Sequence, residues 1–450
     1  MNTTRPLQCG YGYADITPRH PVVMDGFAAR LERSTGVLDP LGMRVLALQD
    51  GTGNRCILVF LDLIGLNSAL AKRITDCIAD CGKIDSQHIV LLSSHTHAGP
   101  AAGILYGLEQ DSDYWQSLLD QLPTVITAAL RSLSPSAFDV VTVPLHIGVN
   151  RREMRAGRMV IGADAERPTD DCFRVLRIFR GDCLAGALCH ASCHPVHLTA
   201  NNTLISADYP AGLYQSPFVQ GGGFALFANG GAGDINPLLY AAPNEQEALA
   251  MSRAQLSEAL AAAIACARAP EFQSEILWCR SLQICIPIHA GYTVKELEQQ
   301  LEHHQKKFNS AEGTVARYVA SVNLHWYQQR VAELHSSRPA DTLQVTVQLI
   351  GLGRHCAILA LPFEAFVETQ ESLLETFRIL GGNEKRLFVC SYANGVQSYL
   401  PPPSAVMEGG YEVDHACIWY DLPGKYTLDS EPALRKGCEE LMRQYLLEVN

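Results

Sequence analysis

Short apolar runs that end abruptly in polar residues recur along the chain. Six of these runs have the length of a strand, and they cover residues 55–61, 88–92, 184–188, 224–228, 356–361 and 387–390. Continuous apolar runs of this length are typical of strands that are buried on both faces. Apolar residues recur with helical spacing over residues 68–81, 114–132, 245–267 and 365–379. Strands that alternate with helices predict an α/β fold, in which a mixed sheet is layered with helices.

The segment over residues 293–337 has a different pattern, because it is rich in Glu, Gln, Lys and His. A break at residues 311–313 divides it into two helical stretches, which predicts a helical hairpin inserted on the outside of the domain. Whether this hairpin forms a lid over the site or a dimer interface is left open by the sequence. The chain has no internal repeat and no low-complexity linker, so we predict one domain over residues 1–450.

The polar residues that follow the predicted strands include histidines and an acidic residue. His95 and His97 follow the second run, His194 and His197 follow the third, and Glu364 follows the fifth. Two histidines separated by a single residue point to the same side if the backbone is extended. Loops at the carboxyl ends of strands form the ligand sites of α/β sheets. Polar residues also mark ordinary turns, but imidazole and carboxylate together are what a catalytic zinc ion binds.

Composition and charge limit the cellular location and the kinds of partner that the sequence predicts. The apolar fraction of 47% is sufficient for a large globular core, and the net charge of -12 comes without any Lys/Arg run, which argues against a nucleic-acid partner. The N-terminus lacks an apolar signal region, and no apolar run reaches the length of a membrane span, so we expect no stable membrane insertion. Fifteen scattered cysteines without a CxxC pair favour reduced thiols and a cytoplasmic location.

Nine short motifs occur in a specific order along almost the whole chain. They read GYADITP at residues 12–18, SHTHAGP at 94–100, NR at 150–151, CHP at 193–195, LISADYP at 204–210, NGGAGDINP at 229–237, PFE at 362–364, NGVQSYLP at 394–401 and GGYE at 409–412. With these motifs the chain resembles the N-terminal catalytic domain of the neutral/alkaline non-lysosomal ceramidases. The resemblance implies a ceramidase-like α/β domain and a hydrolase.

The resemblance also implies a metal site. A single Zn²⁺ would be bound by four residues that match the family's ligand motifs, namely His95, His194, Glu364 and Tyr399. A zinc ion in such a site polarises a carbonyl oxygen and lowers the pKa of water. Whether His197 joins the site is open.

Further residues are implied to contact the substrate or to transfer protons. His97 and Arg151 match positions that contact the polar part of the substrate. Asn236 is a candidate substrate-binding residue, and Tyr411 either lines the pocket or orders a loop. Since Glu364 is needed as a ligand, the candidate general bases are two aspartates, Asp208 and Asp234.

The sequence departs from the family's pattern in two ways. Where the family has a serine in the active site, this chain has Asn236, which excludes a hydroxyl nucleophile at that position. The C-terminal β-sandwich of full-length ceramidases is expected to be absent. We therefore predict cleavage of an amide-type C–N bond in a small, water-soluble substrate. Ester or lactone hydrolysis, and a non-catalytic metal- or ligand-binding role, are the alternatives, and a homo-oligomer is possible.

Overall fold

The computed structural model describes residues 6–239, 242–266, 270–272, 276–289, 293–336 and 341–449. The α/β class predicted from the sequence is confirmed, with strands and helices interspersed along the chain. The mixed strands are divided among three main sheets of five, four and five strands, and not gathered in one. In the described part of the chain, no helix is both long and apolar enough to cross a membrane.

The first main sheet comes from the N-terminal part of the chain. Its strands, in spatial order, are β5 (Ile89–Ser93), β4 (Arg55–Leu61), β3 (Gly42–Gln49), β1 (Gln8–Asp15) and β6 (Ser134–Pro135). Helices α1 (Ser68–Gly82) and α2 (Ser112–Arg131) pack on one another and on this sheet. Asn67 caps α1, because its side chain accepts a hydrogen bond of 2.9 Å from Leu70 N. Strands β4 and β5 are parallel, so their carboxyl ends lie side by side.

The second main sheet is built from the middle of the chain. In spatial order it contains β13 (Phe224–Asn229), β11 (Cys183–Ala191), β10 (Cys172–Arg180) and β7 (Ala137–Pro144). Helix α5 (Glu245–Ala265) packs against β7 and β10, and against the short helix α3 (Ala211–Tyr214), which α4 (Pro217–Gln220) follows. Here too one pair is parallel, namely β11 with β13.

The third main sheet repeats this arrangement near the C-terminus. Its spatial order is β19 (Leu387–Cys390), β17 (Cys356–Ala360), β16 (Thr342–Leu352), β15 (Leu277–His289) and β21 (Lys425–Tyr426). Helices α8 (Val367–Ile379) and α12 (Ser430–Val449) pack together beside it. The parallel pair is β17 with β19.

The three main sheets meet around one apolar cluster. Its members come from all three sheets and include Leu58, Phe60 and Val90 from the first, Phe138, Leu188 and Leu226 from the second, and Ile350, Ile358 and Phe388 from the third. The alternate side chains of the strands face outward and form separate clusters with the helices. Both faces of the central strands are therefore buried, which is why their sequences are continuously apolar.

Three small sheets and three short helices lie around the ends of these strands. The small sheets pair β14 (Ile235–Pro237) with β8 (Gly148–Arg155) and β9 (Arg158–Asp164), β12 (Leu204–Ile205) with β2 (Gly36–Val37), and β18 (Glu364–Ala365) with β20 (Tyr399–Leu400). The short helices are α9 (Pro403–Glu408), α10 (Tyr411–Asp414) and α11 (Ala416–Trp419).

The predicted helical hairpin is present. It consists of α6 (Val294–Ser310) and α7 (Thr314–Ser336), and residue 337 lies outside the described part of the chain. A capping box at Thr293 begins α6, since the Thr293 side chain and that of Glu296 each bond the other's backbone N–H. Helix α7 adds Trp326 and Val322 to the core of the third sheet.

Candidate metal centre

The loops that follow the three parallel strand pairs interlock at one end of the molecule. Ser93 N donates to Tyr392 O at 3.2 Å, which joins the first sheet to the third. Ser391 N donates to Asn229 O at 2.9 Å, which joins the third sheet to the second. Asn229 Nδ2 donates to Ser94 O at 3.1 Å and closes the ring of contacts. Polar residues that are far apart in the sequence are thereby brought to a common point.

Several of these loop residues have a left-handed backbone without being glycine. The φ angles are 73° at His95, 58° at Asp208, 55° at Tyr392, 52° at Asn394 and 88° at Ser398. A conformation of this kind costs about 1–3 kcal/mol per residue and persists only where the surroundings hold it. The left-handed turn at His95 also means that the backbone there is not extended, although extension was the premise for pointing both histidines to one side.

Three histidines and one carboxylate converge in this region. His95 Nε2 and His194 Nε2 each lie 3.1 Å from Glu364 Oε2. His97 Nε2 lies 3.1 Å from His95 Nε2. The ligand atoms of the three histidines are all within 4.8 Å of one another, and all three side chains are buried. The cluster can hold a metal ion.

Backbone carbonyls fix which nitrogen of two rings is free. His95 Nδ1 donates to Ile64 O at 2.6 Å, and His194 Nδ1 donates to Ala232 O at 2.5 Å. In its neutral form each ring therefore carries its lone pair on Nε2, which faces the cluster. Burial and the nearby Arg151 lower the pKa of His194 to about 4, so this ring is neutral at pH 7.

The carboxylate completes a group of converging acceptors. Burial raises the pKa of Glu364, but the electrostatic effect of His95 and His194, which acts only while those rings carry a proton, outweighs this and holds it well below its usual value. Glu364 Oε2 is buried and has no well-directed hydrogen bond. Burial and the neighbouring rings also lower the pKa of His97 well below its usual value. Lone pairs so close together repel unless a cation lies between them, and the N/O donor set suits zinc.

Tyr399 and Arg151 lie against the same cluster. Tyr399 OH is 3.4 Å from His194 Nε2, and Arg151 Nη1 is 3.4 Å from the same nitrogen. The Arg151 guanidinium carbon is 5.1 Å from the centre of the Tyr399 ring. Burial raises the pKa of the Tyr399 phenol well above its usual value. Both residues predicted for the site are therefore adjacent to the histidines.

A buried salt-bridge network holds Arg151 in place. Its Nε donates to Glu412 Oε1 at 2.8 Å, and Arg152 Nη1 donates to Glu412 Oε2 at 2.7 Å. All three side chains are at most 6% exposed. Arg151 Nη2 is buried without a hydrogen-bond partner. One donor of the guanidinium is thus available to a ligand, while Glu412 fixes its direction.

The two residues predicted to bind substrate lie at the edge of the cluster. Asn236 is half-buried, and its Oδ1 is 3.5 Å from Arg151 Nη1. Tyr411 is half-buried too, with its ring centre 5.8 Å from that of Tyr399. Their partial exposure fits the mouth of a site better than its floor.

The candidate general base Asp208 has its carboxylate engaged elsewhere. Asp208 Oδ1 is 2.7 Å from His197 Nδ1, and its other oxygen accepts a hydrogen bond from Leu198 N at 3.3 Å. His197 Nε2 is 2.8 Å from Ser252 Oγ, and these three side chains are buried. His197 therefore does not join the cluster. This Ser–His–Asp chain anchors the loop that carries His194.

Asp234, the other candidate base, is also occupied. Its Oδ1 accepts from Val367 N at 2.9 Å and its Oδ2 accepts from Asn150 Nδ2 at 2.8 Å. Burial raises the pKa of Asp234 to about 6. The carboxylate holds the start of α8 and the side chain of Asn150 in strand β8, and it forms no hydrogen bond or ion pair with the three histidines.

Two aromatic residues of the site were not found from the sequence. The Tyr420 hydroxyl donates a hydrogen bond to Glu364 Oε1. The Tyr392 ring stacks on His95, with 3.9 Å between ring centres. Neither residue has a local signal, because each is one aromatic among other apolar or turn residues. Only the folded chain shows which side chain it touches.

Fold and site together define an α/β protein with a buried, metal-competent cluster of three histidines and a carboxylate. The sequence model of the neutral/alkaline non-lysosomal ceramidases, N-terminal, matches residues 7–272, which is more than half of the chain. The chain therefore belongs to this family, as its motifs predicted, and the family supports a hydrolase. No curated protein matches the sequence.

Two solved structures show the same fold. A crystal structure of neutral ceramidase from Pseudomonas aeruginosa has a TM-score of 0.73 and 18% sequence identity, and the match covers 99% of this chain and 75% of that one. A ceramidase complexed with C2 has a TM-score of 0.72 and 16% identity, with 98% and 75% covered. The fold similarity thus extends over nearly the whole chain.

Proposed function

We propose that this protein is a zinc-dependent hydrolase that cleaves an amide-type C–N bond in a small, water-soluble substrate. The observation that carries the proposal is the convergence of His95 Nε2 and His194 Nε2 on Glu364 Oε2, at 3.1 Å each. Hydrogen bonds to backbone carbonyls leave the lone pairs of both rings facing the carboxylate. A divalent cation relieves the repulsion among these acceptors.

Four residues would hold the ion, namely His95, His194, Glu364 and Tyr399. Zinc takes nitrogen and oxygen ligands of this kind, and when bound it supplies Lewis-acid polarisation of a carbonyl and a more acidic water. His97 has no partner at Nδ1 and is 8% exposed, more than the other two histidines. It is therefore suited to orient the leaving nitrogen, or to protonate it with a proton first taken from the attacking water.

The polar part of the substrate would bind beside this cluster. Arg151 presents a buried Nη2 that lacks a hydrogen-bond partner, and the half-buried Asn236 adds an amide next to it. A guanidinium donor and an amide suit a polar or negatively charged group. We infer an N-acyl amino acid, amine or amino sugar as the substrate class, and a cytoplasmic setting for the reaction.

Metal analysis tests the site. Protein purified without chelator should contain about one zinc per chain. His194→Ala should empty the site, because it removes one of the two nitrogens nearest Glu364. His415→Ala is the matched control, since His415 is exposed and lies on a different segment. Full zinc occupancy in the His194 variant contradicts the assignment.

A substrate panel tests the reaction. Turnover of soluble N-acyl compounds, esters, lactones and ceramide micelles should be compared with and without chelator. We expect chelator-sensitive cleavage of the soluble amides. Turnover of esters or lactones alone identifies the alternative hydrolase. Ceramide cleavage with no soluble amide turned over contradicts the proposed substrate class, and zinc binding without any turnover supports a non-catalytic protein.

A further inference from the structure

The two oxygens of Glu364 have different surroundings. Oε2 faces the Nε2 atoms of His95 and His194, and Oε1 accepts the hydroxyl of Tyr420. The side chain is fully buried, so neither oxygen is in contact with bulk solvent. The Tyr420 hydroxyl therefore holds one carboxylate oxygen away from the histidines and fixes the orientation of the carboxylate plane.

The backbone bonds around Glu364 do not fix the orientation of its carboxylate. Glu364 N donates to Ser398 O at 3.0 Å, and Gly233 N donates to Ala365 O at 2.8 Å. These bonds fix the main chain, but the carboxylate plane can still turn about the last side-chain bond. A hydrogen bond to one oxygen holds the plane in a single orientation.

The short segment that carries Tyr420 is held by helix α7 of the hairpin. Trp326 Nε1 donates to Leu422 O at 2.8 Å, and Arg330 Nη1 donates to the same oxygen at 2.6 Å. Both side chains therefore donate to the backbone carbonyl of the residue two positions after Tyr420. The Trp326 and Arg330 side chains are buried.

A second connection reaches the segment from its other side. Tyr318 OH donates to Tyr106 O at 2.9 Å, and Tyr106 N donates to Trp419 O at 2.8 Å. Residues 419–422 are thus fixed at both ends by contacts that begin on α7. We call these contacts the α7 clamp.

We infer that Tyr420 is a positioning residue for the metal site and that the α7 clamp keeps it in place. This inference rests on the proposed zinc site. With its Oε1 held by Tyr420, Glu364 would offer one oxygen to the ion instead of two, which would keep a coordination position free for water or substrate. Without the hydroxyl, Glu364 is free to rotate or to bind through both oxygens. The helical hairpin thereby supports the site from outside.

Zinc affinity tests the inference without using activity. Competition with a chromogenic chelator should be measured for the wild type, Tyr420→Phe and Arg330→Met. We expect Tyr420→Phe to weaken zinc binding about 10–100-fold, as is typical when a residue behind a ligand is removed. Arg330→Met, which loosens the clamp, should weaken it in the same direction. X-ray absorption should show a change in the carboxylate's coordination to the ion in Tyr420→Phe.

Matched variants separate this effect from general damage. Tyr13→Phe removes the hydroxyl of a half-exposed tyrosine, and Arg317→Met changes an exposed arginine on α7 itself. Both should bind zinc like the wild type, and the melting temperature of each variant should be recorded. Tyr420→Phe with wild-type affinity overturns the inference while the zinc site stands. A wild type that binds no zinc overturns the proposed function instead.

Discussion

At the scale of single residues, the carbonyls of Ile64 and Ala232 prepare two histidines for metal binding. Each accepts the Nδ1 proton of a buried ring, so the Nε2 lone pairs are set before any ion arrives. The conformational entropy of these ligands is already lost in the folded protein. Binding a cation then requires little rearrangement.

A buried carboxylate between two arginines makes a testable contribution to stability. Burial raises the pKa of Glu412, but Arg151 and then Arg152 outweigh this, and the pKa is below its usual value. Glu412→Gln removes the carboxylate from the buried Arg151 and leaves Arg152 with only its longer carboxylate contact, to Glu408. We therefore expect the free energy of unfolding to fall by about 3–5 kcal/mol at pH 7. Urea unfolding of both proteins measures it.

The sign of the pH dependence follows from the lowered pKa. A carboxyl group whose pKa is lowered in the folded state stabilises the protein at pH values above its unfolded-state pKa of about 4.3. This stabilisation is lost as the pH falls through the folded-state pKa. The difference in the free energy of unfolding between wild type and Glu412→Gln should therefore become smaller at acidic pH. Glu302→Gln serves as control, because its pair with Lys306 is exposed. A difference in unfolding free energy that does not change with pH contradicts the lowered pKa of Glu412.

The serine-based mechanism can be tested by covalent labelling. Asn236 has no hydroxyl, and Ser252, although hydrogen-bonded to His197, is only 5% exposed. We expect no stoichiometric labelling by a fluorophosphonate. A label that is lost in Ser252→Ala would show that the buried Ser–His–Asp chain is reached by substrates.

At the scale of secondary-structure elements, the small β18–β20 pair aligns two candidate ligands. Glu364 is paired directly with Tyr399, so one short ladder brings residues 35 positions apart into the same site. The loop after β13 packs against this pair without side-chain atoms between them. A Cβ at Gly233 would lie 2.6 Å from Glu364 O.

This close approach predicts the effect of one added methyl group. Gly233→Ala should push β18 away from the histidines, so both thermal stability and zinc affinity should fall. Gly99→Ala is the matched control, since its Cβ would meet nothing closer than 3.7 Å. Calorimetry and chelator competition give the two readouts. Wild-type zinc affinity in Gly233→Ala would mean that the loop adapts without moving Glu364.

At the scale of the whole molecule, the shared apolar cluster predicts cooperative unfolding. Phe388 is fully buried where the three main sheets meet, and Phe388→Ala should cost about 3–5 kcal/mol. Ile379→Ala, at a side chain that is 70% exposed, is the control. Zinc release and loss of helical circular dichroism should occur in one transition. Two separate transitions would argue against the predicted single domain.

The family match ends before two of the candidate ligands. It covers residues 7–272, whereas Glu364 and Tyr399 come from the later part of the chain. A fragment of residues 1–272 also lacks the third sheet, which leaves the shared core open. We expect this fragment to aggregate or stay partly folded and to bind no zinc tightly. A monomeric fragment with native-like zinc affinity contradicts this expectation.

Local pattern was sufficient for the six predicted strands and for most of the long helices, whereas β15, β16 and α12 were not predicted. The predicted strands 55–61 and 387–390 coincide with β4 and β19, and the helix predicted over 68–81 is α1 with one more residue. The hairpin helices were also foreseen. These features depend on periodicity and on capping residues within a few positions, which the sequence displays directly. The chemistry of His95, His194 and Glu364 could likewise be read from their residue types and strand-end positions.

Tertiary structure alone decided which side chains meet. It divided the strands among three sheets, turned His197 and Asp208 toward Ser252, and brought Tyr420 to Glu364. Each outcome depends on the relative position of segments tens or hundreds of residues apart. Such positions are set by how whole sheets pack around their common core, and a one-dimensional pattern carries no record of that packing.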